Sequence, residues 1–159
     1  MPLSKIDSDS LNSGVPTRAQ LPAGSVLQVV QGTLAASTST ASTSFVTTGL
    51  TVSITPTSAT SKILVLSSIT SAYVNGNGAQ FTVYRNASNI APSGSGIQQN
   101  LMQLYSSALT QSNVSNSILD SPATTSSTTY TVYFAANSGT VYFNANGQTS
   151  FIQVMEIAA

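Results

Sequence analysis

The chain has 159 residues, which suits one domain with a core of ordinary size. Charged residues make up only 5% of it and its net charge is zero, whereas 41% of its residues are hydrophobic. Disordered chains combine low hydrophobicity with high charge, so this composition predicts a folded domain whose surface consists of hydroxyls and amides. Such a surface attracts neither nucleic acid nor anionic lipid, and we expect neither as a partner.

The residue types that the sequence lacks exclude further classes of protein. Without cysteine there is no disulfide and no thiolate metal site. No apolar run reaches the ~18 residues of a membrane helix, so we expect no membrane insertion. Residues 1–10 are polar and lack the apolar centre of a secretory signal, which predicts synthesis in the cytoplasm of the producing cell.

Residues 1–24 are predicted to form an extended N-terminal arm. Four of the eight charged residues and three of the six prolines fall here, and no helix or strand periodicity is visible. The segment cannot form a core of its own, so we expect it to anchor the protein to a partner. The predicted anchors are its spaced apolar residues, Leu3, Ile6, Leu11, Val15 and Leu21.

Residues 25–159 are predicted to form a β-sandwich head. Short β-rich runs at residues 26–31 and 50–55 flank a low-complexity stretch, residues 35–44, which is interpreted as a surface loop or an edge strand. A longer run follows at residues 62–74, and Asn75-Gly76-Asn77-Gly78 separates it from an alternating segment at residues 81–85. Because this Asn-Gly pattern is a strong turn signal, we predict a hairpin here.

The second half of the head continues the pattern of strands and turns. Residues 97–109 fit a helical stripe (Leu101, Leu104, Tyr105, Leu109) and a strand over residues 99–105 equally well. Turns are predicted at residues 137–139 and 146–147. Further strands are predicted at residues 114–119, 130–134, 141–143 and 151–157. The total of eight to nine strands is typical of an antiparallel sandwich or barrel.

The last predicted strand is apolar on both faces. Phe151, Met155 and Ile157 share one face, and Ile152 and Val154 share the other. An antiparallel strand ordinarily hides one face only, so the second face needs another covering surface. We therefore predict a homo-oligomer in which these five residues contribute to the subunit interface. Tyr133 and Tyr142 show a weaker form of the same pattern within residues 130–143.

The sequence offers almost no catalytic chemistry. It has no histidine, and Asp120 and Glu156 are the two acids of the head. Asp120 lies in a predicted turn and Glu156 in the last strand, so structural roles suit them better than glycoside hydrolysis. Asp7 and Asp9 lack the spacing of a calcium loop. We predict a protein that is not an enzyme and that uses no metal and no cofactor.

A host-surface glycan or protein is a candidate partner for the loops of the head. Tyrosines can stack on sugar rings, although packing within a core or an interface is the commoner role of such residues. The candidate receptor contacts are Asn75, Asn77, Tyr84 and Arg85.

Three segments resemble virion structural proteins of phages, notably tail-fibre proteins of phages that infect aquatic bacteria. They are Leu21-Pro-Ala-Gly-Ser-Val-Leu-Gln-Val-Val-Gln31, residues 51–65 (Thr-Val-Ser-Ile-Thr-Pro onward), and the ending from Tyr130-Thr-Val-Tyr-Phe134 to residues 151–157. The resemblance implies a jelly-roll head that associates as a trimer and an arm that joins other virion proteins. Its motifs are structural, so they indicate a class of particle protein rather than a particular function.

The expected function is therefore that of a phage structural appendage, located on the virion. A tail fibre or tail tip involved in host attachment is favoured over a capsid decoration protein, either a head fibre or a cement protein. A cellular adhesin or surface-layer component is the rival class.

Overall fold

The computed structural model describes residues 21–91, 100–105 and 110–159. This part of the chain is all-β and antiparallel, and a single 3-10 turn (Ala145–Gly147) precedes its last strand. The strands are β1 (Val26–Leu34), β2 (Thr38–Thr40), β3 (Val46–Ile54), β4 (Lys62–Arg85), β5 (Ser88–Asn89), β6 (Met102–Leu104), β7 (Thr110–Asp120), β8 (Thr128–Phe143) and β9 (Ser150–Ile157).

Alternation along the first part of β4, and along β3 and β9, decides which face of these strands is buried, whereas residues 78–83 of β4 are buried on both faces. In β4, Ile63, Val65 and Ile69 are buried, whereas Leu64 and Leu66 between them are only half-buried. β3 and β9 alternate in the same way. Successive side chains of a strand point to opposite faces, so each of these strands gives one face to the core. The prediction of strands with alternating faces is confirmed.

The predicted hairpin at residues 75–78 is wrong, because β4 runs without interruption for 24 residues. Its pairing with β8 shifts register between Asn75 and Gly78, where Gly78 has a φ of 150°. β8 is likewise continuous over 16 residues, so the turn predicted at residues 137–139 is also wrong. Glycine permits an irregular strand as readily as a turn. Here the irregular pairing lies between β4 and β8, and both strands continue through it.

β4 is the axis of the sheet. Along one side it pairs first with β9 (Lys62↔Ile157) and then with β8 (Arg85↔Tyr130). Along the other side it pairs with β7, then β6, then the short β5. β1 adds to the free edge of β9, and β2 and β3 add to β8.

The two ends of this long sheet are packed against each other, which makes the domain sandwich-like. Layer A has the order β1-β9-β4-β7 and uses the first half of β4. Layer B has the order β3-β8-β4-β6 and uses the second half. The layers approach so closely that a Cβ on Gly32 of β1 would overlap the carbonyl oxygen of Thr51 in β3.

One apolar core fills the space between the layers. Its largest fully buried side chains include three phenylalanines and Tyr130. Both layers contribute to it, through Ile63, Val65, Ile69, Ile152 and Val154 from layer A and Leu50, Phe81, Val83, Val132 and Phe134 from layer B.

Three weaker predictions have clear outcomes in the described residues. The low-complexity stretch contains the short strand β2, which pairs only with the end of β8, in agreement with an edge strand. Of the ambiguous stretch, residues 97–109, the structure describes residues 100–105. Within this part, residues 102–104 form strand β6. The turn at Asn146-Gly147 is confirmed as part of the 3-10 turn.

Candidate functional site

An apolar band crosses the outer face of layer A. Val29 pairs with Met155, Met155 with Leu64, and Leu64 with Leu119, so these four residues occupy one row across all four strands. Phe151 lies on the same face of β9. We call this group (Val29, Leu64, Leu119, Phe151 and Met155) the apolar band.

The band is largely accessible to solvent within one chain. Leu119 is 60% exposed, Val29 is 51% exposed and Phe151 is 38% exposed. Single exposed apolar residues are ordinary, but a contiguous row across a sheet is typical of a contact surface. The side chains around it are mainly uncharged polar groups, such as Gln31, Gln153 and Ser117.

The five residues predicted for the subunit interface lie on two opposite faces of β9. Ile152 and Val154 are fully buried in the core of their own chain, so they have no surface to offer a neighbour. Phe151, Met155 and Ile157 point outward, with Met155 and Ile157 half-buried. Of the five, only these three residues have surface outside the core of their own chain.

The outer face of layer B has a different chemistry. Hydroxyls from β3 and β8 pair directly across the strands, Thr51 Oγ1 with Thr131 Oγ1 at 3.0 Å and Ser53 Oγ with Thr129 Oγ1 at 2.8 Å. We call these four residues the hydroxyl ladder. Each group has a partner in the sheet and remains accessible to water, so this face needs no further cover.

A cluster of aromatic rings lies beside the hydroxyl ladder. Tyr84 stacks on Tyr133 with ring centroids 4.0 Å apart, and Phe45 meets Tyr84 edge-on at 6.3 Å. Burial raises the pKa of Tyr84, and the neighbouring Tyr133 raises it further. One face of the predicted receptor contact Tyr84 is therefore already covered by another ring of the same chain.

The other predicted contact in this region, Arg85, forms an ion pair. Its Nη1 donates to both carboxylate oxygens of Asp120, at 2.8 and 3.0 Å, and to the carbonyl of Ser121. Tyr130 Oη also donates to Asp120, at 2.7 Å. Burial raises the pKa of Tyr130, and the hydrogen bond to Asp120 raises it further.

This ion pair closes one end of the sandwich. Asp120 pairs with Ile63 at the start of β4, whereas Arg85 is the last residue of the same strand. The two ends of β4 therefore meet across the layers, which gives Asp120 and Arg85 a structural role.

Glu156 is fully buried at the same end of the domain. One carboxylate oxygen accepts from the Nε2 of Gln28 at 2.6 Å, and the other accepts from the amide and the hydroxyl of Thr57, both at 2.7 Å. Burial alone would raise the pKa of Glu156, but these hydrogen bonds outweigh it and hold the pKa below its ordinary value. The carboxylate thus ties β1 and the β3–β4 connection to β9.

A polar cleft of about 500 Å³ opens beside the end of β8 and the 3-10 turn that follows it. Its lining combines an aromatic ring, two amides and a hydroxyl, and none of these side chains is charged. The lining residues are Ser37, Gln111, Tyr142, Ala145 and Asn146.

The part of the chain that the structure describes holds no group of three residues suited to bind a metal ion. It also contains no helix of the length and apolarity required for a membrane span. Of the predicted anchors, Leu21 is 36% exposed, and Leu3, Ile6, Leu11 and Val15 lie outside the described residues. Asn75 and Asn77 are placed in β4 by their backbones.

No family model matches the sequence, and no curated protein matches it.

Proposed function

We propose that this protein is a non-enzymatic structural component of a phage particle. In this proposal it is a homotrimeric appendage that serves host attachment at the tail. The observation that carries the proposal is the apolar band, a continuous row of apolar side chains on the outside of a sheet whose other face already has a core.

The partner that best fits the apolar band is a second copy of the same chain. The chain has zero net charge, so its copies do not repel one another. Lys62 lies beside the band, and its Nζ donates to Ser121 Oγ at 2.8 Å within the chain. Apolar side chains at the centre with amides and hydroxyls around them match the general anatomy of a protein interface.

We further propose that the head is of the jelly-roll type. Two strand orders support this, β1-β9-β4-β7 in layer A and β3-β8-β4-β6 in layer B, with β4 passing from one layer to the other. A jelly roll has this arrangement when a long antiparallel ribbon is folded over on itself. Viral capsid domains are among the proteins built in this way, which agrees with a virion location.

The arm is proposed as the anchor to the particle. The described chain joins the sheet at Gly24, whose amide donates to the carbonyl of Ala158 at 2.8 Å. The amide of Ala158 in turn donates to the carbonyl of Ser25 at 2.9 Å. These two bonds fix the start of the head beside the end of β9, so residues before Gly24 can contact a partner while the head stays folded.

The test of the location is gold-labelled antibody against this chain on purified phage particles. We expect label at the tail. Label on the capsid would replace the tail assignment with capsid decoration, and absence of label from all particles would overturn the proposal.

The test of the anchor is a chain that lacks residues 1–20. We expect the truncated head to fold with the same circular dichroism and melting temperature, to remain trimeric, and to be missing from particles. Incorporation of the truncated head into particles would show that the anchor lies on the head itself. Failure of the truncated chain to fold would place the arm within the sandwich.

A further inference from the structure

The polar cleft has the composition of a site for an uncharged, hydroxyl-rich ligand. Asn146 and Gln111 supply amide donors and acceptors, and Ser37 and Tyr142 supply hydroxyls. The four charged residues outside the arm are Lys62, Arg85, Asp120 and Glu156, and none of them lines the cleft. Among the residues that the structure describes, the cleft therefore offers an ionic ligand no counter-charge.

Tyr142 adds an aromatic residue to the lining of the cleft. It is half-buried on β8, where it pairs with Ser39 of β2, and β7 contributes Gln111 to the same cleft. The C–H groups on one face of a pyranose ring pack well against such an aromatic surface, while the ring hydroxyls reach the surrounding amides. The volume of about 500 Å³ falls within the ~300–1,000 Å³ range of small-molecule sites.

The turn that carries Asn146 is held in place by a buried neighbour. Asn144 is fully buried, and its Nδ2 donates to the carbonyl of Leu34 at 2.6 Å. Its Oδ1 accepts a short hydrogen bond from Ser150 Oγ. Asn144 and Asn146 both have left-handed backbone conformations, with φ of 52° and 71°. A turn fixed in this way has little backbone entropy left to lose on binding.

We infer that this cleft is a binding site for a neutral saccharide. Asn146 Nδ2 donates to Gln111 Oε1 at 3.3 Å, a long hydrogen bond that a sugar hydroxyl can replace by bonding to both amides. The inference rests on the proposed function in one respect only, since a sugar on a host surface is the ligand that an attachment protein would use. It moves the receptor site from residues 75–85 to the region of Tyr142 and Asn146.

The experiment is a titration of the ¹⁵N-labelled full chain with neutral sugars. The probes are methyl α-glucoside, methyl β-galactoside, N-acetylglucosamine, maltose and lactose at millimolar concentrations, with galacturonic acid as the charged comparison. We expect at least one neutral sugar to shift the side-chain amide signals of Asn146 and Gln111 in a saturable way. Absence of shifts with all five neutral sugars, or tighter binding of galacturonic acid, would overturn the inference.

Two variants and one control locate the site. Asn146→Gly removes the amide and suits the positive φ of that position, and Tyr142→Leu removes the ring. Each should weaken binding by about tenfold or more. Gln103→Ala removes an exposed amide of β6 that does not line the cleft, and it should bind as the unchanged chain does. Unchanged affinity of the Asn146 variant contradicts the inference.

The outcomes are separable from those of the particle experiments. Sugar binding by a chain that no particle carries would retain this inference and remove the proposed function. A chain that is found on particles and binds no sugar would retain the proposed function and remove this inference.

Discussion

The two outer faces of the sandwich differ in how they deal with water. On layer B the hydroxyl ladder satisfies its own hydrogen bonds and also accepts water. On layer A the apolar band leaves Val29 and Leu119 more than half exposed. Both faces belong to the same kind of strand and lie over the same core, so the fold does not require the difference. The comparison favours the apolar band over the hydroxyl ladder as the surface that another molecule would cover.

Charge introduced at Val154 should have the largest effect, because this side chain is fully buried beneath the apolar band. Val154→Asp places a carboxylate in the core without a partner, which costs several kcal/mol and should leave the chain unfolded. Circular dichroism at micromolar concentration measures this. The matched Val154→Ala should stay folded with a loss of about 2 kcal/mol, and a folded, cooperative Val154→Asp chain would show that the core is not sealed there.

A charge at residue 155, next to Val154, should prevent assembly without unfolding the chain. Met155→Asp lies in the apolar band, so we expect a folded chain that no longer forms trimers, as measured by light scattering. The control is Thr131→Asp in the hydroxyl ladder, which should remain trimeric because that face stays in water. If the unchanged chain is already a monomer at micromolar concentration, or if both variants dissociate alike, the apolar band is not the interface.

Glu156, one residue further, should give the domain its acid sensitivity. Its pKa is lowered from an ordinary 4.5 in the folded state, so its contribution to stability is complete above that pH. The contribution is lost as the pH falls below 4.5 and the folded carboxylate becomes protonated. Thermal melts between pH 7 and pH 3 should show a steeper loss for the unchanged chain than for Glu156→Gln. Parallel curves would contradict this assignment.

The smallest effect is expected in the hydroxyl ladder. Thr131→Val removes one exposed hydroxyl whose partner, Thr51, can turn to water. The free energy of unfolding from urea titration should change by less than about 1 kcal/mol. A loss of several kcal/mol would mean that this face is covered in the assembled protein.

Alternation within each strand made much of the fold predictable. The run from Lys62 to Val74 and the alternation around Tyr130 were enough to assign strands, and the apolar character of both faces of β9 indicated an extra contact. The sequence did not distinguish a turn from an irregular strand at residues 75–78. That choice depends on β8, whose partner residues lie more than fifty positions further along the chain.

The candidate sites were less predictable, because they depend on register and on the folding of the sheet. The apolar band requires Val29, Leu64 and Leu119 to fall in one row with Met155, which no local pattern shows. The cleft at Asn146 combines residues from three segments that are far apart in the chain. Arg85 and Asp120 meet only because β4 passes from one layer to the other.

The pairing of the first strand with the last has a consequence for how this protein is made. Gln28 of β1 contacts Glu156 of β9 across 128 residues of chain. At a synthesis rate of ~5–20 residues per second, β1 is synthesised roughly 6 to 26 seconds before its partner. Contacts of such long range also make folding slow. β1 therefore lacks its native partner during that interval, and layer A can close only after β9 has been synthesised.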